Sequence, residues 1–174
     1  MVMSKINWDI TGTGGQSVID EGGSKRCQLT AMKQMLWNGR NNLTNSEIIS
    51  DVKLSSSGNG GLSLRSDASG NNCYRVRINY GAPRVYYVDK VVAGVATVLA
   101  TVVSSQSWNI YVKTRFRVDG WQLSVEEWIG STWVLLTTIE ETSHQIASGY
   151  AGLLGLSAVG YYILFDNVAI SERP

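Results

Sequence analysis

Histidine and proline are nearly missing from this chain: 1 and 2 respectively among 174 residues. The lone histidine, His144, and two distant cysteines, Cys27 and Cys73, leave no His/Cys set from which a zinc site could be assembled. Ser143 and His144 are chain neighbours, whereas the members of a nucleophile–base pair converge from separate segments, so they do not read as catalytic. Two cysteines allow at most one bridge. The opening Met1-Val2-Met3-Ser4-Lys5-Ile6-Asn7-Trp8-Asp9 has no basic head followed by an apolar run, so no export signal is read and free thiols are expected. No charge of one sign prevails either: 15 basic residues stand against 14 acidic ones, which calls for neither nucleic acid nor an anionic membrane. The longest apolar stretch, Val91 to Val103, is interrupted by Gly94 and threonines and is too short for a membrane helix, so no membrane insertion is expected. Helical periodicity is absent over any long window. Its nearest approach, Met32 to Trp37, stops at the turn signal Trp37-Asn38-Gly39. Gly12-Thr13-Gly14-Gly15 lacks the Gly-Lys-Ser/Thr of a phosphate loop. No long internal repeat points to a solenoid or propeller.

What is present is a 44% hydrophobic, 17% charged composition that can fill a core, with 18 glycines set between short Val, Ile, Tyr and Trp runs. That is the composition of a turn-rich all-β protein. Strands are expected at Glu47–Leu54, Gly61–Ser66, Cys73–Asn79, Arg84–Val92, Val95–Val103, Trp108–Val118, Trp121–Trp128, Thr132–Ile139, Ala151–Ser157 and Tyr161–Ile170. Residues 1–26 mix loop compositions (Thr11 to Gly15, Glu21 to Ser24) with one weak strand signal at Val18-Ile19. They are read as an N-terminal arm or first strands, and 27–174 as the sandwich domain.

Turns predict registers. Asp119-Gly120 between two alternating runs is a two-residue hairpin signal. It predicts Val118 opposite Trp121, Phe116 opposite Leu123 and Thr114 opposite Val125 on the buried face, with Arg117, Arg115 and Lys113 on the wet one. A turn at Gly130-Ser131 predicts Trp128 beside Trp133 and Val125 opposite Leu136. One at Gly81-Ala82 predicts Arg77 with Tyr86 and Val76 with Tyr87, and one at Ala93-Gly94 joins two Val-rich strands. The expected inner face holds Tyr74, Val76, Ile78, Ile110, Val112, Phe116, Leu123 and Val125. Consecutive hairpins with one wet face imply a two-sheet antiparallel jelly-roll sandwich.

Several runs, taken in order, resemble a known superfamily. They are Ser46-Glu47-Ile48-Ile49-Ser50-Asp51-Val52-Lys53-Leu54, Gly60-Gly61-Leu62-Ser63-Leu64-Arg65, Asn72-Cys73-Tyr74-Arg75-Val76-Arg77-Ile78, Trp108-Asn109-Ile110-Tyr111-Val112-Lys113, Gly149-Tyr150-Ala151-Gly152-Leu153-Leu154-Gly155 and Phe165-Asp166-Asn167-Val168-Ala169-Ile170. From about residue 30 to 171 the chain resembles the concanavalin A-like lectins and glucanases, in their laminin-G-like or laminarinase-like form. The resemblance implies an all-β, concanavalin A-like jelly roll, a fold that hosts lectins, glycan-binding modules, glycosidases and virion proteins, so it does not decide function. It also implies a place for a structural calcium at Asp166, in the last strand, the alternative being that Asp166 caps a loop or pairs with a lysine.

Glycoside hydrolysis needs two carboxyl groups flanking one bond. The alternating acids of laminarinase-type enzymes do not occur. Glu126-Glu127 are adjacent and so face opposite sides of a strand, and Glu140-Glu141 sit where a strand ends. No catalysis is expected. A ligand or partner surface is instead expected from exposed aromatics, namely Tyr86, Tyr111, Trp128 and Trp133, which the registers place opposite the Phe116/Leu123 core. Residues 61–120 carry eight basic and three acidic residues and 121–174 six acidic against Arg173. Arg75, Arg77, Lys113, Arg115 and Arg117 are expected on one face, either binding an acidic glycan or neutralised by the acidic C-terminal third of the same or a neighbouring chain.

Two functions remain open. The first is a non-catalytic structural or adhesive virion protein, such as a phage decoration, fibre or tail-associated component. It would be assembled in the host cytoplasm, form a homo-oligomer, and touch other virion proteins and host-surface glycans. A Gly-rich N-terminal arm and many β-branched residues support it. The alternative is a carbohydrate-binding module of a cellular or secreted protein, working outside the cell. A glycoside hydrolase comes third.

Overall fold

The computed structural model describes residues 8–12, 15–21, 23–30, 32–55, 57–143, 145–156 and 160–173. His144, Thr13, Gly14, Gly22 and Ser157, and residues 1–7 of the expected arm, lie outside the described residues.

Fourteen strands and no helix occur among the described residues: β1 (Trp8–Gly12), β2 (Gln16–Glu21), β3 (Ser24–Thr30), β4 (Met32–Trp37), β5 (Ser46–Leu54), β6 (Asn59–Ser66), β7 (Cys73–Asn79), β8 (Val85–Val92), β9 (Val95–Val103), β10 (Val112–Asp119), β11 (Gln122–Ile129), β12 (Thr132–Glu140), β13 (Tyr150–Leu156) and β14 (Tyr162–Glu172). They form two seven-stranded sheets. The first runs β1-β4-β13-β6-β7-β8-β9 and the second β12-β11-β10-β5-β14-β3-β2, and every pairing is antiparallel. This is the expected all-β jelly-roll sandwich. Its core lies between the sheets, with Val76, Ile78, Leu62 and Leu153 of the first facing Phe116, Val125, Ile48 and Phe165 of the second. Strand alternation places such side chains inward at every second position, and each fully buried one contributes about 1.5–3 kcal/mol.

Met32 to Trp37 is a strand, β4, held between β1 and β13. Met35 is buried toward the core and Leu36 on the other side of the sheet, so the strand shows no clean period of two. The hairpin between β10 and β11 turns at Gly120-Trp121, with Asp119 opposite Gln122 and Phe116 opposite Val125. Gly120, at φ 57°, is the first central residue of the turn, where a type II′ geometry places glycine. Each β10 residue therefore meets a partner two places beyond the predicted one, and a shift of two leaves both faces as expected. Trp128 does pair with Trp133, but a bulge between Val125 and Glu126 puts Val125 opposite Thr137 rather than Leu136.

The β7–β8 connection is a longer loop, 80–84, and it moves the register by one: Arg77 faces Tyr87 and Ile78 faces Tyr86. A slip of one exchanges the faces, so Tyr86, expected on the surface, is 0% exposed in the core. Ile110 departs in the other direction. It precedes β10 and is 45% exposed. The turn at Ala93-Gly94 is as expected, with Val92 opposite Val95 and both turn residues at positive φ.

Candidate functional site

The two sheets present outer surfaces of different character. Along the second sheet, charges on neighbouring strands cancel. Arg115 pairs with Glu126, and Arg117 bridges Glu126 (3.3 Å) and Glu47 (3.3 Å), which also accepts from Ser171. Lys53 pairs with Glu21 at 2.6 Å, and Tyr111 donates its hydroxyl to the same carboxylate. The hydrogen bond from Lys53, with that from Tyr111, holds the Glu21 carboxyl below the usual carboxylate range; burial, with that bond, pushes the Tyr111 phenol up. Trp133 lies under the Arg115 guanidinium at 4.0 Å, and Trp128, 39% exposed, stands edge-on against Trp133 with centroids 5.3 Å apart. This surface carries a largely buried ion network; Glu126 comes from the acidic C-terminal third, as one expected alternative had it, but Glu47 and Glu21 come from the N-terminal part of the chain.

Asp166, the expected calcium ligand, belongs to the same network. Its carboxylate is paired with Arg26, and Asp51, opposite it across β5–β14, accepts from Asn167 at 2.6 Å. A guanidinium on the carboxylate replaces the oxygen shell that calcium requires, so the residues present do not fit the ion. Among the described residues, no group of three or more His, Cys, Asp or Glu is placed to hold a metal.

The outer surface of the first sheet is recessed. Outward-facing Ser63, Cys73, Asp89, Val91 and Leu154 are all buried. Asp89 is the centre: at 0% exposure it receives Arg75 Nε at 3.0 Å on one oxygen and Arg77 Nε at 3.1 Å on the same oxygen, with Arg77 Nη2 reaching the other. The β7–β8 register places these three groups side by side, Arg75 directly opposite Asp89. Arg77 also stacks on Tyr87, its guanidinium 4.3 Å from the ring centroid.

Beside Arg75 lies a cleft of about 250 Å³. Cys73, Arg75, Val91 and Leu154 form its floor, Gln34 and Lys33 one wall, and the 69–71 loop its rim. The rim is held by its own hydrogen bonds. Asp67 accepts from the backbone N–H of Ser69 and of Asn71, both at 3.0 Å, and from the Asn72 amide. The loop is tied to the β8–β9 turn by Gly94 N–H to Asn71 C=O at 2.8 Å and by Ala93 N–H to the Asn72 side chain at 3.0 Å. Burial works against ionisation of Asp67, but the Ser69 and Asn72 bonds and the backbone donors hold its carboxyl below the usual range. Gly70 leans over the sheet as far as β4: a Cβ there would stand 2.0 Å from the Gln34 side-chain oxygen, which would have to move, and its φ of 76° is in the region that favours glycine. The Cys73 thiol is pushed up to about 12 by burial and is an inert part of the floor. Cys27 and Cys73 are both free.

The seven residues expected to share a surface do not. Arg75 lines the cleft, and Arg77 lies beside it on the same outer face, joined through Asp89. Tyr111, Arg115, Trp128 and Trp133 lie on the far side of the sandwich, with Lys113 and Arg117. Tyr86 is inside, donating to Glu127 Oε1 at 2.5 Å. The supposed single basic face is two faces, because β7 and β10 belong to different sheets. Glu126 and Glu127 do point to opposite sides, one to the Arg115/Arg117 surface and the other to the interior, where Ser104 donates to it at 2.7 Å. Asp89, Gln34 and Asn71 were missed. Asp89 carried a signal, a single acid within the apolar run Tyr87-Val88-Asp89-Lys90-Val91, since an unpaired acid is rarely buried.

No family model matches the sequence, and no curated protein matches it either. Solved structures do match the fold. The carbohydrate binding module CBM66 from Bacillus subtilis superposes with a TM-score of 0.70 at 17% identity, covering 96% of each chain. The legume lectin-like domain from Entamoeba histolytica gives a TM-score of 0.68 at 17% identity over 97% of this chain and 91% of that one. The GH43 protein BlXynB from Bacillus licheniformis gives 0.72 at 12% identity, with 98% of this chain covering 38% of that one, so this chain spans well under half of that protein. The protein therefore has the jelly-roll fold seen in a carbohydrate-binding module and in lectin-like domains.

Proposed function

We propose that this chain is a non-catalytic carbohydrate-binding module that holds one sugar ring in the cleft on the outer face of the first sheet. The observation that carries this reading is the Arg75–Asp89–Arg77 cluster at the edge of a recessed, rigid-rimmed cleft. Planar polar groups locked in place by a buried partner, beside an apolar floor, are what a polyhydroxylated ring requires. The cleft lies a little below the roughly 300–1,000 Å³ usual for small-molecule sites, which suits a single ring rather than a threaded chain. The CBM66 and lectin-like relatives support the same reading. The virion reading, with its oligomer and particle partners, gains no support from them.

Hydrolysis is disfavoured on the same geometry. No acidic residue lines the cleft among the described residues, and Asp89 is fully covered by its two arginines. Two carboxyl groups about 5–9 Å apart across a bond are what glycosidases use.

A glycan array followed by calorimetry on the hits tests the proposal. The intact chain is expected to bind at least one glycan, Arg75→Ala to lose that binding, and the glycan to stay uncleaved on long incubation. A glycan whose binding is unaffected by Arg75→Ala and by Asn71→Ala would place the site elsewhere.

A further inference from the structure

Resting on the reading of the cleft as a sugar site, we infer that the sugar it takes carries a carboxylate, as in a uronic acid. A neutral sugar hydroxyl both donates and accepts, so its sites supply acceptors as well as donors. At Arg75 itself the acceptor is withdrawn: Asp89 is 0% exposed, and both its oxygens receive arginine N–H groups. The side-chain hydroxyl and amide acceptors of Ser69 and Asn71 are on the rim loop, not beside the guanidinium. Gln34, on the wall, turns its amide nitrogen to Ser66 at 3.1 Å and its oxygen against Gly70.

The arginines differ in what remains to them. Arg77 uses Nε and Nη2 on Asp89 and Nη1 on Asn79, and is stacked on Tyr87. Arg75 uses only Nε on Asp89; among the described residues its two terminal nitrogens have no protein acceptor, and it is Arg75, not Arg77, that lines the cleft. Two guanidinium groups over one carboxylate leave a positive surplus at Arg75; the other nearby acid, Asp67, is turned into its own rim loop by Ser69, Asn71 and Asn72, and no acidic residue lines the cleft among the described residues. The exposed feature is thus a donor-only fork, oriented from behind by Asp89. Its complement is a planar anion that accepts two parallel N–H bonds, and a carboxylate on a sugar ring has that shape. A sulfate ester would offer the same charge in tetrahedral form.

The test compares three probes against the intact protein by calorimetry: an oligosaccharide ending in glucuronate or galacturonate, the same oligosaccharide with its carboxyl reduced to the alcohol, and a sulfate-bearing counterpart. The uronate form is expected to bind roughly ten- to a hundredfold more tightly than the reduced form. It should weaken as salt rises and lose most of that margin in Arg75→Gln. Arg75→Lys should restore part of it, and Lys113→Gln on the opposite face should change nothing. The comparison of probes needs no variant, so it holds even where Arg75→Gln folds poorly. Equal binding of uronate and reduced forms, with Arg75 still required, overturns this inference and leaves the sugar site standing. Tighter binding of the sulfate form also overturns it. Failure of every probe, together with no hit on a glycan array, overturns the sugar site itself.

Discussion

Two buried arginines, Arg84 and Arg65, close the two ends of the sandwich, and neither has a carboxylate in direct contact. Arg84, fully buried, donates to the carbonyls of Val52, Trp108 and Ile110 at 3.1–3.3 Å, where β5 ends and β10 begins. It also reaches the Tyr86 hydroxyl, which donates to Glu127 and so links the loop to the only fully buried glutamate among the described residues. Arg65 works at the opposite end, donating to Thr44, Ile146 and Gly120 with its guanidinium against Trp121. Burial holds its guanidinium below the usual range. It adopts φ 52°, in the left-handed region that costs a non-glycine residue about 1–2 kcal/mol, at a bulge where β6 departs from β13. Removing the Arg84 cation takes the side-chain donor from the carbonyls of Val52, Trp108 and Ile110 and the neighbouring positive charge from the buried Tyr86–Glu127 pair. Arg84→Met is therefore expected to lower unfolding stability by about 3 kcal/mol in urea titrations. A loss under about 1 kcal/mol would mean that the carbonyls find water instead.

Glu141 sets an acid limit. Burial opposes its ionisation, yet hydrogen bonds from Ser143, Tyr74 and Lys90 outweigh it and bring its carboxyl down to about 2 from 4.5. A carboxyl lowered by folding stabilises the native state above its unfolded value. That stability, about 3 kcal/mol, is lost as pH falls from about 4.5 toward 2. Glu141→Gln should thus be less stable than the parent at pH 7 and converge with it near pH 2. Parallel pH profiles for the two proteins would contradict this.

At the scale of strands and turns, the β8–β9 hairpin invites a stabilising change. Ala93 and Gly94 both take positive φ, at 51° and 79°, the I′ geometry that Asn-Gly adopts with least strain. Ala93 is exposed, so Ala93→Asn is expected to raise stability by roughly 0.5–1 kcal/mol, read as a higher melting midpoint. A lower midpoint would show that the turn is not of this type. The same scale explains how much was legible. Strands from β5 to β14 announced themselves through alternation, and the Trp128–Trp133 register followed from its turn. Tyr86 was misplaced because the β7–β8 loop is longer than the glycine at 81 suggested, and one residue of slack exchanges faces. The cleft was harder still to foresee. Its parts come from β4, β7, β8, β13 and a loop that folds across them, so no local pattern joins Gln34 to Asn71, although Arg75 and Arg77 were visible as a pair on one strand.

For the molecule as a whole, the separation of the two outer surfaces matters most. One carries matched charges and the aromatic pair Trp128/Trp133; the other carries the cleft and an arginine surplus. Trp128→Ala removes a half-exposed ring from the first of these, so it should leave glycan affinity within about twofold while costing some stability. A large loss of affinity would move the site to the second sheet.

Titration of the isotopically labelled protein with a glucuronate-ended oligosaccharide, followed by nuclear magnetic resonance, locates the sugar on one outer surface or the other. Perturbations are expected at Arg75 Nε, Asn71, Gly94 and Leu154, with the Trp128 and Trp133 indole signals unmoved. Shifts confined to Lys113, Trp128 and Trp133 on the opposite surface would contradict the account.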